Sequence, residues 1–205
     1  MNDDEKPLPP SSYSPRNARR SALMAVTVLL LIAGVAALVV YLIYRPERPR
    51  FSVVGAAVYD LNATSPPVVS TTMQFTLLIR NPNRRVSIYY DHLSAFVSYR
   101  GQAITPPASL PPLFHESRST VELSPVLGGA AVPAAAEVGN GLAVDEAYGV
   151  VGLRVMVIGR LRYKAGAIRT GHYGLYVRCD VLVGLKKGFE GQVPLLASPP
   201  CKVDV

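Results

Sequence analysis

Leu153-Arg154-Val155-Met156-Val157-Ile158-Gly159-Arg160-Leu161-Arg162-Tyr163 decides how the chain folds. Leu153, Val155, Val157, Leu161 and Tyr163 fall on one side of an extended backbone. Arg154, Arg160 and Arg162 fall on the other. Side chains alternate between faces along a strand, so a period of two with one apolar side marks a half-buried antiparallel strand. The same period recurs downstream over 173–183, where Tyr173, Leu175, Val177, Cys179, Val181 and Val183 share a face. Upstream it recurs over 72–80, with Met73, Phe75, Leu77 and Ile79, and over 93–99. Weaker candidates are 51–59 and 119–123.

Turn signals separate these runs: Asn81-Pro82-Asn83, Tyr99-Arg100-Gly101, Pro106-Pro107, Pro111-Pro112, Gly128-Gly129 and Lys164-Ala165-Gly166. Six or seven strands with no helical crossover between most of them predict a β-sandwich of the fibronectin-III or immunoglobulin type. One alanine-rich stretch, 132–148, predicts a short helix with Pro133 in its first turn and a break around Gly139-Asn140-Gly141.

Outside this domain of residues 51–205 the composition changes. Residues 22–44 run ALMAVTVLLLIAGVAALVVYLIY without a charge. At about 1.5 Å per residue these 23 residues make a helix of roughly 34 Å, long enough for a hydrocarbon core of about 30 Å. A buried core helix would carry a polar face, and here only Thr27 is polar. A cleaved signal peptide has a shorter apolar run and a small-residue cleavage site, whereas Arg45-Pro46-Glu47-Arg48-Pro49-Arg50 follows here. The segment reads as a retained transmembrane helix. Residues 1–21, rich in Pro, Ser and charge, read as a disordered tail, and 45–50 as a stiff extended stalk.

Charge hardly orients the anchor. Lys6, Arg16, Arg19 and Arg20 precede it and Arg45, Arg48 and Arg50 follow, close to a tie for the positive-inside rule. Two features point the same way. Asn62-Ala63-Thr64 is a glycosylation sequon, which has meaning only in the secretory lumen. Cys179 and Cys201, the only cysteines, both lie in the large domain. They are either bonded or two free thiols with Cys179 packed inside; an oxidising compartment favours the bond. The expectation is a cytosolic amino terminus and an external domain.

Catalytic patterns are missing from the sequence. His92, His115 and His172 lie at no metal-ligand spacing with one another. There is no glycine-rich phosphate loop and no Gly-x-Ser-x-Gly elbow. Asp91-His92 has neither nucleophile nor third partner, so it reads as a polar pair at a strand bend. No enzyme activity, cofactor or metal is expected. From residue 45 onward there are 17 basic and 11 acidic residues, a net of +6. Arg154, Arg160, Arg162 and Lys164 form a basic stripe, which reads first as a solvated strand face and otherwise as a contact for anionic polymer or lipid. Nucleic acid is excluded as a partner by the topology and by the lack of an aromatic ladder beside the basic residues.

Three segments carry a resemblance. These are Tyr44-Arg45-Pro46-Glu47-Arg48-Pro49-Arg50-Phe51-Ser52-Val53, then Asn81-Pro82-Asn83-Arg84-Arg85-Val86-Ser87-Ile88-Tyr89-Tyr90-Asp91, then Pro112-Leu113-Phe114-His115-Glu116. In order and character they resemble the plant family of non-race-specific disease resistance and harpin-induced-like proteins, whose external part is the late-embryogenesis-abundant group 2 domain. The third segment has histidine where glutamine is common. The resemblance covers 22–205. It implies a sandwich, a plasma-membrane or plasmodesmal location, a role in defence and stress, and no catalytic residues. Asn81, Pro82, Asn83, Tyr89, Tyr90 and Asp91 are its signature positions; of the two tyrosines, one should be core and one exposed. Some members exchange a hydrophobic tail for a lipid anchor. Residues 195–205 are too short and polar for that signal, so the amino-terminal helix is expected to hold the protein alone. The partners implied are the bilayer itself and proteins at the membrane or wall. The competing reading is a protective domain that binds lipid or wall polymer under dehydration.

Overall fold

Period-two patterning forms strands here wherever the apolar face finds a facing sheet. A computed structural model describes residues 15–65, 68–185, 188 and 190–205. Its elements are α1 (Pro15–Tyr44), β1 (Arg50–Ser65), β2 (Val68–Arg80), β3 (Ser87–Tyr99), β4 (Gln102–Ala103), β5 (Ala108–Ser109), β6 (Leu113–His115), β7 (Thr120–Leu123), β8 (Val126–Gly128), β9 (Val132–Pro133), α2 (Ala136–Tyr148), β10 (Val150–Ala165), β11 (Ile168–Arg169), β12 (Tyr173–Gly184), β13 (Gly191–Val193), β14 (Leu195–Ala197) and β15 (Lys202–Asp204). The chain divides into two units, Met1–Arg45 and Pro46–Val205.

In the first unit, α1 starts ahead of the apolar run. It takes in residues 15–21, the end of the expected tail; residues 1–14 lie outside the described residues. Pro15 suits the first helical position, where no amide donor is needed. The window Arg19–Leu42 has a mean hydropathy of 2.9, and none of it is buried. It is the one helix among the described residues long and apolar enough to cross a membrane.

The second unit is a sandwich of two antiparallel sheets. One has the order β13-β1-β2-β7, with β8 and β9 also along β2. The other has the order β14-β12-β10-β3-β4, with β5 and β6 also along β3, β15 along β12 and β11 hairpinned onto β10. The long strands β1, β2, β3, β10 and β12 are flanked by edge pieces of two to four residues. Short, interrupted edges leave no long template for pairing with another chain. Phe51, Val53, Met73, Phe75, Leu77 and Ile79 from one sheet meet Ile88, Tyr90, Val97, Val155, Leu161 and Val177 from the other in one apolar cluster.

Two expectations about the alanine-rich stretch are corrected. Pro133 does not open a helix but pairs with Val68 at the end of β9. The helix α2 then runs through Gly139-Asn140-Gly141 without a break. Packing explains this. Val138 and Leu142 are buried, and a Cβ on Gly141 would stand 2.8 Å from Arg100 Nη1 and 3.0 Å from the Tyr99 hydroxyl. The close approach lets Tyr99 donate to Asp145 Oδ2 at 2.5 Å, which fastens α2 to β3. Burial, then the Asp145 carboxylate, pushes the pKa of the Tyr99 hydroxyl up to about 12.

Cys179 on β12 is bonded to Cys201. The Cys201 amide donates to the Phe51 carbonyl of β1, and Ser198 Oγ donates to Val53 O. The closing segment therefore seals the gap between the two sheets along β1 and β12.

Candidate functional site

All three motif segments meet at one end of the sandwich, where β2 turns into β3. Asn81 is fully buried there. Its amide donates to Ser119 O at 3.0 Å. Its Nδ2 donates to Val86 O and Glu116 O, each at 2.9 Å, and its Oδ1 accepts from the Asn83 backbone N–H and Nδ2, each at 3.0 Å. Every Nδ2 partner is a carbonyl and every Oδ1 partner is an N–H, so the network itself orients the amide. Pro82 is half-buried between the two asparagines and holds the turn through its fixed φ.

Asn83 then reaches into the expected stalk. Its Nδ2 donates to Glu47 O at 2.8 Å, and its Oδ1 accepts from Glu47 N–H at 2.7 Å. Arg48 Nη1 donates to Val203 O at 3.3 Å, and Pro49 is buried. Residues 47–50 are thus part of the folded unit. In this segment, expected as a stiff extended stalk, the Asn83 side-chain amide satisfies both backbone groups of Glu47 as a strand neighbour would.

From the third segment, His115 joins the same knot. It is buried, and its Nε2 donates to Ser119 O at 2.9 Å while Nδ1 has no partner among the described residues. Burial pushes its pKa below the ordinary value, partly offset by the Ser119 bond. Tyr90 packs 6.2 Å from this ring and 6.4 Å from Phe51. Its hydroxyl is buried, and desolvation pushes its pKa up. Tyr89 points the other way, against Phe114 at 4.5 Å. One tyrosine is core and its neighbour half-buried on the outer face, in line with strand alternation.

The basic stripe lies on that outer face, but carboxylates answer much of it. Arg154 pairs with Asp180 at 2.5 Å across β10 and β12, and Arg162 with Asp91 at 3.1 Å across β10 and β3. His172 Nε2 stands 3.7 Å from the same Asp91 oxygen. Arg178, a position absent from the expected stripe, pairs with Asp204. Arg160 is exposed and Lys164 half-buried; neither pairs with a carboxylate among the described residues. Asp91 therefore works with Arg162 and His172. His92 sits apart, exposed at the bulge of β3 with φ 52°.

Two open grooves mark the sheet faces. One of about 450 Å³ is lined by Ser98, Gly152, Arg154, Asp180, Leu182 and Pro199. The other, about 500 Å³, runs over Gly55, Tyr59, Gln74, Thr76 and Gln192. Neither brings together a nucleophile and a base. Among the described residues no group of three His, Cys, Asp or Glu is placed to hold a metal. The Asn62 backbone runs in β1, while its side chain lies outside the described residues.

A family model described as "Late embryogenesis abundant protein" matches residues 76–179. Among curated relatives, NDR1/HIN1-like protein 1 of Arabidopsis thaliana is 34% identical over 183 residues, covering 88% of this chain and 88% of that protein. NDR1/HIN1-like protein 26 of the same plant is 37% identical, covering 78% of this chain and 75% of its own length. NDR1/HIN1-like protein 12 is 34% identical, covering 76% and 74%. None of these names is that of an enzyme family. Two of the segments that carry the resemblance, Asn81 to Asp91 and Pro112 to Glu116, lie within the matched span.

Proposed function

The chain belongs to the late embryogenesis abundant family, among its NDR1/HIN1-like members, and from that premise we propose that it is a single-pass, membrane-anchored interaction module acting in plant defence and stress responses. It acts without catalysis. The amino terminus is cytosolic, and the sandwich stands outside the plasma membrane, plasmodesmata included. The observation that carries this reading is the division of labour in the chain. One unit holds a helix of 30 residues with its described apolar side chains exposed all round. The other is a sandwich whose signature asparagines, Asn81 and Asn83, are engaged in internal hydrogen bonds and whose grooves, among the described residues, hold no reactive constellation. A sandwich on a single helix supports contact: it offers broad sheet faces at a membrane.

The test is co-purification from intact plant membranes after mild crosslinking, with a variant lacking residues 22–44 as control. Recovery of a specific membrane or wall protein with the anchored form alone supports the reading. Recovery of nothing above the control contradicts it.

A further inference from the structure

Among the described residues, five basic residues that find no carboxylate gather at one end of the sandwich. Arg154, Arg162 and Arg178 lie along the sheet face and are paired. Arg84, Arg85, Arg118 and Arg169 are exposed, Lys164 is half-buried, and none of the five pairs with a carboxylate among the described residues. Topology places all five at one end. Arg84 and Arg85 follow β2, and Arg118 sits in the turn before β7, its amide bonded to Asn83 O. Lys164 and Arg169 face each other across the β10–β11 hairpin. Glu47 and Glu116 share this end but pair with none of the five.

The hairpin adds an observation of a different kind. Its tip reads Ala165-Gly166-Ala167-Ile168, and Ile168 is 74% exposed. An apolar tip flanked by two cations has the make-up of an interfacial element: the tip enters the boundary of headgroups and acyl chains while the cations meet phosphates. Arg118, meanwhile, holds φ 56°, an unfavourable backbone for a non-glycine residue, in a turn that leaves its side chain exposed. This is also the end at which the chain enters the unit, through Pro46–Arg50. Arg45 and Pro46 alone separate Tyr44, the last residue of α1, from Glu47, a reach of about 10 Å when fully extended.

We infer that this end of the sandwich is a second membrane contact. Arg84, Arg85, Arg118, Lys164 and Arg169 engage anionic lipid headgroups of the bilayer that α1 crosses, and Ile168 dips into its surface. The inference rests on the anchored reading above and adds to it the surface that faces the lipid. The opposite end and the outer sheet faces remain for protein partners.

The chain has no tryptophan, so a single introduced one reports on depth. Full-length protein carrying Ile168→Trp is reconstituted into vesicles of phosphatidylcholine with about one part in three phosphatidylserine, part of the lipid being brominated in its acyl chains. Tyr148→Trp is the control. Tyr148 is 84% exposed and stands just before the start of β10, whereas Ile168 stands just past its end. The 16 residues of that strand separate them by roughly 50 Å at about 3.3 Å per residue. Flotation is scored first. Protein that does not float with the vesicles overturns the anchored reading and this inference together. In floated protein the expected result is blue-shifted, strongly quenched emission from Ile168→Trp and unquenched emission from Tyr148→Trp. Adding Arg84→Gln and Arg85→Gln, both in an exposed loop, lowers the docked-to-undocked ratio roughly 30-fold. Floated protein in which Ile168→Trp is no more quenched than the control overturns the inference alone. So does quenching that is equal in pure phosphatidylcholine and unmoved by the two glutamines.

Discussion

Replacing Asn83 by alanine should open the chain at Glu47 before it unfolds the sandwich. In the structure the Asn83 amide makes two reciprocal bonds to the backbone of Glu47, at 2.7 and 2.8 Å. A net hydrogen bond contributes about 1 kcal/mol, so the pair holds this segment by about 2 kcal/mol. That is a factor of about 30 in the local opening equilibrium. A glutamate-specific protease reads this directly, because Glu47 is the only acidic residue between α1 and β1. Cleavage of a transiently opened segment follows the population of the open form.

The expected result is cleavage at Glu47–Arg48 about 30-fold faster in Asn83→Ala than in the parent. Cleavage after Glu122 and Glu137, inside the folded unit, should rise far less and reports global unfolding in the same digest. A rate at Glu47 that does not change, or that rises only in step with Glu122, would refute the idea that Asn83 clamps this segment.

Other perturbations follow from the same structure. Asn81→Ala leaves the carbonyls of Val86 and Glu116 without their donor in a buried setting, and should cost about 3 kcal/mol, read as a fall in melting temperature of roughly 6–12 °C. Reduction, or Cys201→Ser, removes a cross-link spanning 22 positions and should cost about 3 kcal/mol in the same assay; an unchanged melting temperature would contradict the bond's role. His115 is neutral in the fold and has its pKa lowered below 6.5. The unfolded chain therefore takes up the proton first as pH falls. Stability is full above about pH 6.5 and declines below it, by at most about 1.4 kcal/mol per pH unit, until the folded pKa is reached. Denaturation midpoints of His115→Gln should show a flatter decline over that window. Gly128→Ala should prevent folding, since φ is 116° and the new Cβ would lie within bonding range of the Thr71 carbonyl oxygen; soluble, folded protein at parental yield would contradict this.

The strands β2, β10 and β12 were legible because each buries one face along most of its length: β2 and β12 show their alternation nearly residue by residue, and β10 does so apart from the buried Met156 and the stretch around Gly159. The edge pieces β4, β5, β8, β9, β13, β14 and β15 were not, because two or three residues carry no period and owe their pairing to the strand beside them. The α2 break was misread for a related reason. Glycine and asparagine weaken a helix locally, but Gly141 is there to let Tyr99 and Arg100 approach, and the buried Val138 and Leu142 hold the turn. The motif was legible as a pattern and its function in the fold was not. Nothing local to Asn83 announces that its partner is Glu47, 36 positions earlier. The basic stripe was legible as a run of cations, but Asp91, Asp180 and Asp204, which answer them or their neighbours, sit on other strands.

The central claim is an anchored sandwich held on the external side, and protease protection on sealed microsomes tests it most directly. The account predicts that added protease removes only residues ahead of the helix and leaves a fragment from the helix to Val205 intact until detergent is added. Digestion of the sandwich in sealed vesicles, without detergent, would contradict it.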